Sequence, residues 1–251
     1  MNNINFQLTP SIIYGIKRKG IPLVQTVHDY QMICPNHLLY NFDKNEICEK
    51  CIKGSYTNCI KNKCIHNSRV KSIIGAMEAK LYSLLKTYKK VDLYISPSYF
   101  LEDKLLSANE LYKGKTRTIH NFINKDKFTC EENNAEDYIA FAGRLSKEKG
   151  VEELAEAAKL LPEYTFMVAG DGPDKDMLKD IENVKLVGFL SGDKLTQFMG
   201  QAKVLLVPSI WYENCPLSIL EAQCMGVPVA TVNNGGMAEL VKDGITGILI
   251  D

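Results

Sequence analysis

The chain has a single tryptophan, no apolar run approaching a membrane span and no excess of either charge, 30 Lys+Arg against 30 Asp+Glu. A bilayer-spanning helix needs about 20 predominantly apolar residues, and no run in this sequence reaches that length. The start lacks the charged-then-apolar pattern of a secretion signal. The eight cysteines therefore read as thiols or metal ligands in a reducing cytoplasm, not as the disulfide framework of a secreted protein. The remaining composition is that of an ordinary globular protein, and 251 residues suffice for one large domain or two small ones.

The zero net charge conceals a division. Residues 1–130 hold 20 Lys+Arg and 10 Asp+Glu, and residues 131–251 reverse that ratio. Two units facing different partners are expected. A basic half suits an anionic substrate or an acidic membrane surface, although opposite charges can also simply help two domains meet.

Strand and helix patterns alternate through the second half. Apolar runs at 138–142, 164–169, 184–187, 203–207, 228–232 and 247–250 read as buried strands. Helical patterns fall near 151–161, 173–181, 193–200, 216–225 and 236–242. Repeated βα units predict a doubly wound, mainly parallel sheet, whose ligands bind beyond the carboxyl ends of the strands. The first half is less regular. It offers a short helix at 11–19, a strand at 22–27 ending in His28-Asp29, a polar cysteine-rich stretch at about 31–66 and a long helix to about 88. A strand at 91–96, a helix near 98–107 and a strand at 116–119 follow, and 120–136 reads as a linker. About three strands stand where a doubly wound domain has five or six. That shortfall predicts a fragment lacking roughly 60 to 90 residues before Met1, and a covering helix is expected beyond Asp251.

Glu213 and Glu221 bracket the expected start of a helix at Pro216, a residue favoured at the first helical position. The unpaired N–H groups of Leu217 and Ser218 would make an anion site there. The alternative is an amphipathic helix with a surface glutamate at each end. Gly143 lets the chain leave its strand and places Arg144 and Lys149 in the following loop. Two cations at the carboxyl end of a parallel strand suit a diphosphate, although a solvated basic loop would look the same.

Four motifs then occur in a familiar order: Gly143-Arg-Leu-Ser-Lys-Glu-Lys-Gly150, Gly170-Asp-Gly-Pro173, Glu213-Asn-Cys-Pro-Leu-Ser-Ile-Leu-Glu221, and Gly235-Gly-Met-Ala-Glu-Leu-Val241 with Asp243-Gly-Ile-Thr-Gly247. In that order they resemble family 4 glycosyltransferases, retaining enzymes of the GT-B fold with two Rossmann-like α/β domains. The resemblance implies a partial N-terminal, acceptor-side domain at 1–130, with a cysteine-rich insertion at 34–66, and a nucleotide-sugar-binding domain at 131–251. It implies a hexosyltransferase moving sugar from a UDP- or GDP-sugar to a polysaccharide or lipid-linked acceptor, without a catalytic metal. Glu213 would contact the donor sugar and Glu221 the ribose hydroxyls. Arg144 and Lys149 would neutralise the diphosphate, and Gly143, Asn214, Pro216, Leu217 and Ser218 would complete the donor site. His28 would reach the donor sugar, where a structural strand-end histidine is the rival reading. The family's glycine-rich N-terminal loop has no match, and its Pro-Asn-Gly linker is replaced by His120-Asn-Phe-Ile-Asn124. The departures imply a chain inactive by itself, and a non-catalytic fragment that binds nucleotide or a protein partner is the alternative.

Two features stand apart. Cys48, Cys51, Cys59 and Cys64, with Cys34 nearby, suit a structural zinc, free buried thiols or disulfides, and His37 or His66 could replace a ligand. Residues 67–90 combine a basic series with Ile73, Ile74, Met77, Leu81, Leu84 and Leu85 at helical spacing. Such a helix either lies on an anionic membrane, making the protein peripheral at the inner membrane face, or packs in a domain. Nucleic acid is not an expected partner, because recognition signatures and aromatic platforms are lacking.

Overall fold

A computed structural model describes residues 1–2, 9–128 and 136–251. The chain divides into two compact units, Met1–His120 and Asn121–Asp251. The boundary expected at 130/131 lies outside the described residues.

The first unit contains α1 (Ile12–Arg18), β1 (Val24–Thr26), the short hairpin β2 (Tyr40–Asn41) and β3 (Glu46–Ile47), and α2 (Thr57–Lys61). The long α3 (Arg69–Leu84) follows, then β4 (Leu93–Ser96), α4 (Tyr99–Ala108) and β5 (Thr116–Thr118). Strands β1, β4 and β5 form a parallel sheet in that order. Ser68 starts α3 by accepting from the Lys71 N–H, and Ser98 caps α4 through the Leu101 N–H, each satisfying one donor the helix itself cannot pair. Tyr94 anchors the sheet: it is fully buried and its hydroxyl donates to the Tyr88 carbonyl at 2.6 Å.

The second unit is a six-stranded parallel sheet built from β6 (Tyr138–Ala142), β7 (Thr165–Ala169), β8 (Val184–Gly188), β9 (Val204–Val207), β10 (Val229–Val232) and β11 (Gly247–Ile250). Their order is β11-β10-β9-β6-β7-β8. The chain leaves β6 toward β7 and β8, then returns to place β9 on the other side of β6. Alternate residues of β6 feed different cores. Tyr138 and Ala140 pack with Phe198, Met199, Leu205 and Ile219, whereas Phe141 packs with Leu154, Phe166 and Val168. These cores enclose α5 (Val151–Leu160) on one face and α6 (Asp193–Gly200) with α7 (Leu217–Cys224) on the other. Full burial of a side chain such as Phe166 contributes about 2–3 kcal/mol.

All six strands lie within a residue or so of their expected positions, but two expected helices are absent. Residues 173–181 form only a 3-10 turn, Lys175–Leu178, and 236–242 only Gly235–Met237. The reasons are local. Asp171 turns its carboxylate back onto the Gly172 N–H at 3.0 Å, and Asp174, Asp176 and Asp180 are weak helix formers. In the second segment Gly235 and Gly236 occupy the would-be first turn, where glycine costs about 1 kcal/mol per residue. The helix expected at Pro216 begins at Leu217, with Pro216 still extended at φ −66°, ψ 126°.

Candidate functional site

The switch point between β6 and β9 is where a doubly wound sheet opens a crevice, because the chain departs in opposite directions from adjacent strands. Residues 143–150 leave β6 and residues 208–216 leave β9. Glycines allow these loops and their neighbours to meet. A Cβ on Gly150 would stand 2.0 Å from the Pro208 carbonyl oxygen, one on Gly170 1.8 Å from that of Gly143, and one on Gly172 2.2 Å from that of Leu145. Real side chains do not approach so closely. Backbone bonds complete the rim: Ile210 N–H to Glu148 O at 3.2 Å, Leu145 N–H to Asp171 O at 3.0 Å and Gly236 N–H to Glu213 O at 2.7 Å.

Glu213 is the hub of the rim. Its Oε1 accepts from the Lys149 ammonium, from Trp211 Nε1 at 2.9 Å and from Ser209 Oγ at 3.2 Å. Its side chain is 12% exposed and that of Lys149 28%, so the pair is only partly screened by water. Lys149 also stands 5.2 Å from the centre of the Trp211 ring, a cation–π distance. Sequence reasoning missed Ser209 and Trp211. The only tryptophan of the chain, two residues before a suspected site glutamate, was the available signal.

The other expected donor-site residues fall in the same unit. Arg144 is exposed, and among the described residues no hydrogen bond or ion pair holds its guanidinium, although its carbonyl accepts from the Ser146 N–H at 3.1 Å. The first turn of α7 has no side-chain cap, and Leu217 and Ser218 open it. Glu221 lies one turn further on, where burial pushes its carboxyl above the ordinary carboxylate range. Asn214 is half-buried beside them. Asn121 donates through Nδ2 to the Cys215 carbonyl at 2.9 Å, tying the start of this unit to the loop before α7. His28 belongs to the first unit, two residues beyond β1, with Nε2 3.0 Å from Asn2 Oδ1.

The cysteine-rich segment also lies in the first unit. Cys34, Cys48, Cys51 and Cys59 are buried, and all are free thiols, as is Cys64. Among the described residues no three Cys, His, Asp or Glu side chains form a metal-holding group. Instead Cys59 and Cys64 hydrogen-bond to each other, which holds the Cys59 thiol below and the Cys64 thiol above its ordinary range. Cys34 donates to Asn36 Oδ1 at 2.9 Å. Burial pushes Cys34 up to about 11 and Cys51 to about 12. His37, considered as a substitute ligand, lies 3.8 Å from Asp29 Oδ2. Burial lowers its pKa and Asp29 opposes that shift. Because reactivity follows thiolate character and access, Cys224, the one exposed thiol among the described residues, is expected to react with maleimide at least ~10-fold faster than Cys34 or Cys51. Peptide mapping after brief labelling checks this, and early modification of Cys34 would contradict the packing.

Residues 122–251 match the family model described as "Glycosyl transferases group 1". The chain belongs to the group 1 glycosyl transferases. A 41.2 kDa protein of the cps region of Klebsiella pneumoniae is 32% identical over 177 residues, covering 65% of this chain and 49% of that protein. A 42.6 kDa protein of the same region is 27% identical over 258 residues, covering 96% and 62%. The chain thus spans half to two thirds of the length of these relatives. Among solved structures, Anabaena Alr3699/HepE in complex with UDP superposes with a TM-score of 0.71 at 19% identity, covering 99% of this chain and 64% of that one. The pneumococcal O-GlcNAc transferase GtfA, in complex with UDP and GlcNAc, gives 0.59 at 20% identity, covering 95% and 42%. These likenesses show the fold: α/β, Rossmann-like, as in GT-B glycosyltransferases.

Proposed function

We propose that this chain carries the donor-binding half of a retaining glycosyltransferase that moves a hexose from a UDP- or GDP-sugar to a polysaccharide or lipid-linked acceptor. The observation that carries the reading is the Lys149–Glu213 pair, set at the switch point beside the uncapped start of α7. Departure of a nucleoside diphosphate builds negative charge on the leaving phosphate. Lys149, held against Glu213, and the Leu217 and Ser218 N–H groups at the start of α7 are fixed donors for that charge, with the exposed Arg144 as a further cation, and fixed donors lower a barrier without reorganising. No metal is required in this scheme. Glu213, held by three donors, positions a sugar hydroxyl and is not assigned as nucleophile. Glu221 and Asn214 hold the nucleoside side of the donor. Positive charge developing on the sugar ring, as in glycoside hydrolysis, is met by the diphosphate itself, so the acceptor attacks on the face the diphosphate leaves.

The relatives support the envelope setting, since two are proteins of a cps region. Isothermal titration with UDP, GDP and their sugars tests donor binding. Nuclear magnetic resonance of the anomeric proton then reads retention in any product formed. Binding of a nucleoside diphosphate, lost in Arg144→Ala, is the expected result. An Arg144→Ala chain with unchanged affinity for every nucleotide sugar would remove the reading.

A further inference from the structure

Helix α3 is built inside out. At about 100° per residue, Val70, Ile74, Met77, Leu81 and Leu84 fall within an arc of roughly 80°. These five side chains are 66, 61, 65, 52 and 68% exposed. The opposite face carries Ser72 and Ala76, the buried residues of the helix. The small residues therefore pack against the unit while the large apolar ones face out. Packing within the unit, the alternative raised by the sequence, is met through Ser72 and Ala76 and leaves this stripe uncovered among the described residues. Scattered surface leucines need no explanation, but a continuous stripe of this kind marks an interaction surface.

The charge beside the stripe specifies what it meets. Arg69 and Lys80 project along one flank of the apolar arc and Lys71 along the other. Lys86, Lys89 and Lys90 continue the basic series just past the helix, and all six are exposed. Residues 61–90 hold eight Lys+Arg against the single acid Glu78. Docking of a second copy through the same face would oppose two such basic flanks. A negatively charged planar surface satisfies both the flanks and the stripe. No helix among the described residues can cross a bilayer, so α3, about 24 Å long, would lie along the surface.

We propose that the outward face of α3 is a docking site for an anionic lipid bilayer, with Val70, Ile74, Met77, Leu81 and Leu84 entering the acyl boundary and the flanking lysines meeting the headgroups. This goes beyond the transfer reading and does not depend on it. The test is co-sedimentation of the 251-residue chain with vesicles of phosphatidylglycerol and phosphatidylcholine, or of phosphatidylcholine alone. The chain is expected to bind the anionic vesicles at least ~10-fold better, and to lose most of that binding in about 0.5 M salt. The double variant Met77→Glu, Leu81→Glu is expected to lower partitioning ~10-fold or more, with Tm and nucleotide binding unchanged because both positions are exposed. The pair Lys80→Glu, Lys86→Glu should weaken binding without touching the apolar stripe. Failure of the native chain to bind anionic vesicles would overturn the proposal. So would equal binding by the Met77/Leu81 variant, or a native dimer that this variant converts to monomer.

Discussion

Glu213→Gln is expected to bind UDP about 10-fold more tightly than the native chain, while gaining little for a UDP-sugar. The Lys149 ammonium is engaged by Glu213 Oε1, so a phosphate must draw the cation away from a carboxylate that is only 12% exposed. The amide keeps an acceptor for Trp211 and Ser209 but removes the competing charge. Lys149→Ala changes both terms in the other direction. It deletes the cation proposed to meet the phosphate and leaves the Glu213 carboxylate without its partner, so UDP affinity should fall about 10-fold or more. Titration calorimetry on the two variants reads opposite signs if Lys149 is shared between the carboxylate and the phosphate. Weaker UDP binding in Glu213→Gln would show that the glutamate holds the site open instead.

Gly170→Ala should be the most destabilising single methyl in the second unit. At φ +140° this backbone is accessible only to glycine, and the added carbon would stand 1.8 Å from the Gly143 carbonyl oxygen. Something must shift, and the neighbour is backbone, not the end of a flexible side chain. A loss of about 3 kcal/mol or more is expected from urea unfolding. Because Gly143 leads directly into Arg144, nucleotide affinity should fall in the fraction that still folds. Gly226→Ala is the control. It shares a positive φ, +77°, but meets nothing within 4 Å, so it should cost only the conformational term of about 1–2 kcal/mol. Equal losses in the two variants would mean that the contact with Gly143 carries no weight.

Six strands of the second unit were legible because parallel strands covered on both faces are written as unbroken apolar runs. The loops between them were legible because glycine is needed wherever one backbone meets another. The segments 173–181 and 236–242 misled because spacing was read without the local competition from Asp171 and from the glycine pair. The partners of Glu213 were not legible at all: Lys149 is 64 residues away along the chain, and only the sheet order brings it there. Helix α3 shows a different limit. Its period was clear in sequence, but a period does not say which face turns inward. Ser72 and Ala76 settled that by allowing a close approach to the body of the unit.

The glycine contacts of the rim have a consequence for inheritance. Each joins loops between residues 143 and 236, all on one sheet. A change in any one loop therefore burdens the others, and the loops must vary together or not at all. Residues around that frame can still diversify, since they need not enter the contacts themselves. The rim would pass between relatives as one cassette, and surfaces outside it would be free to drift independently.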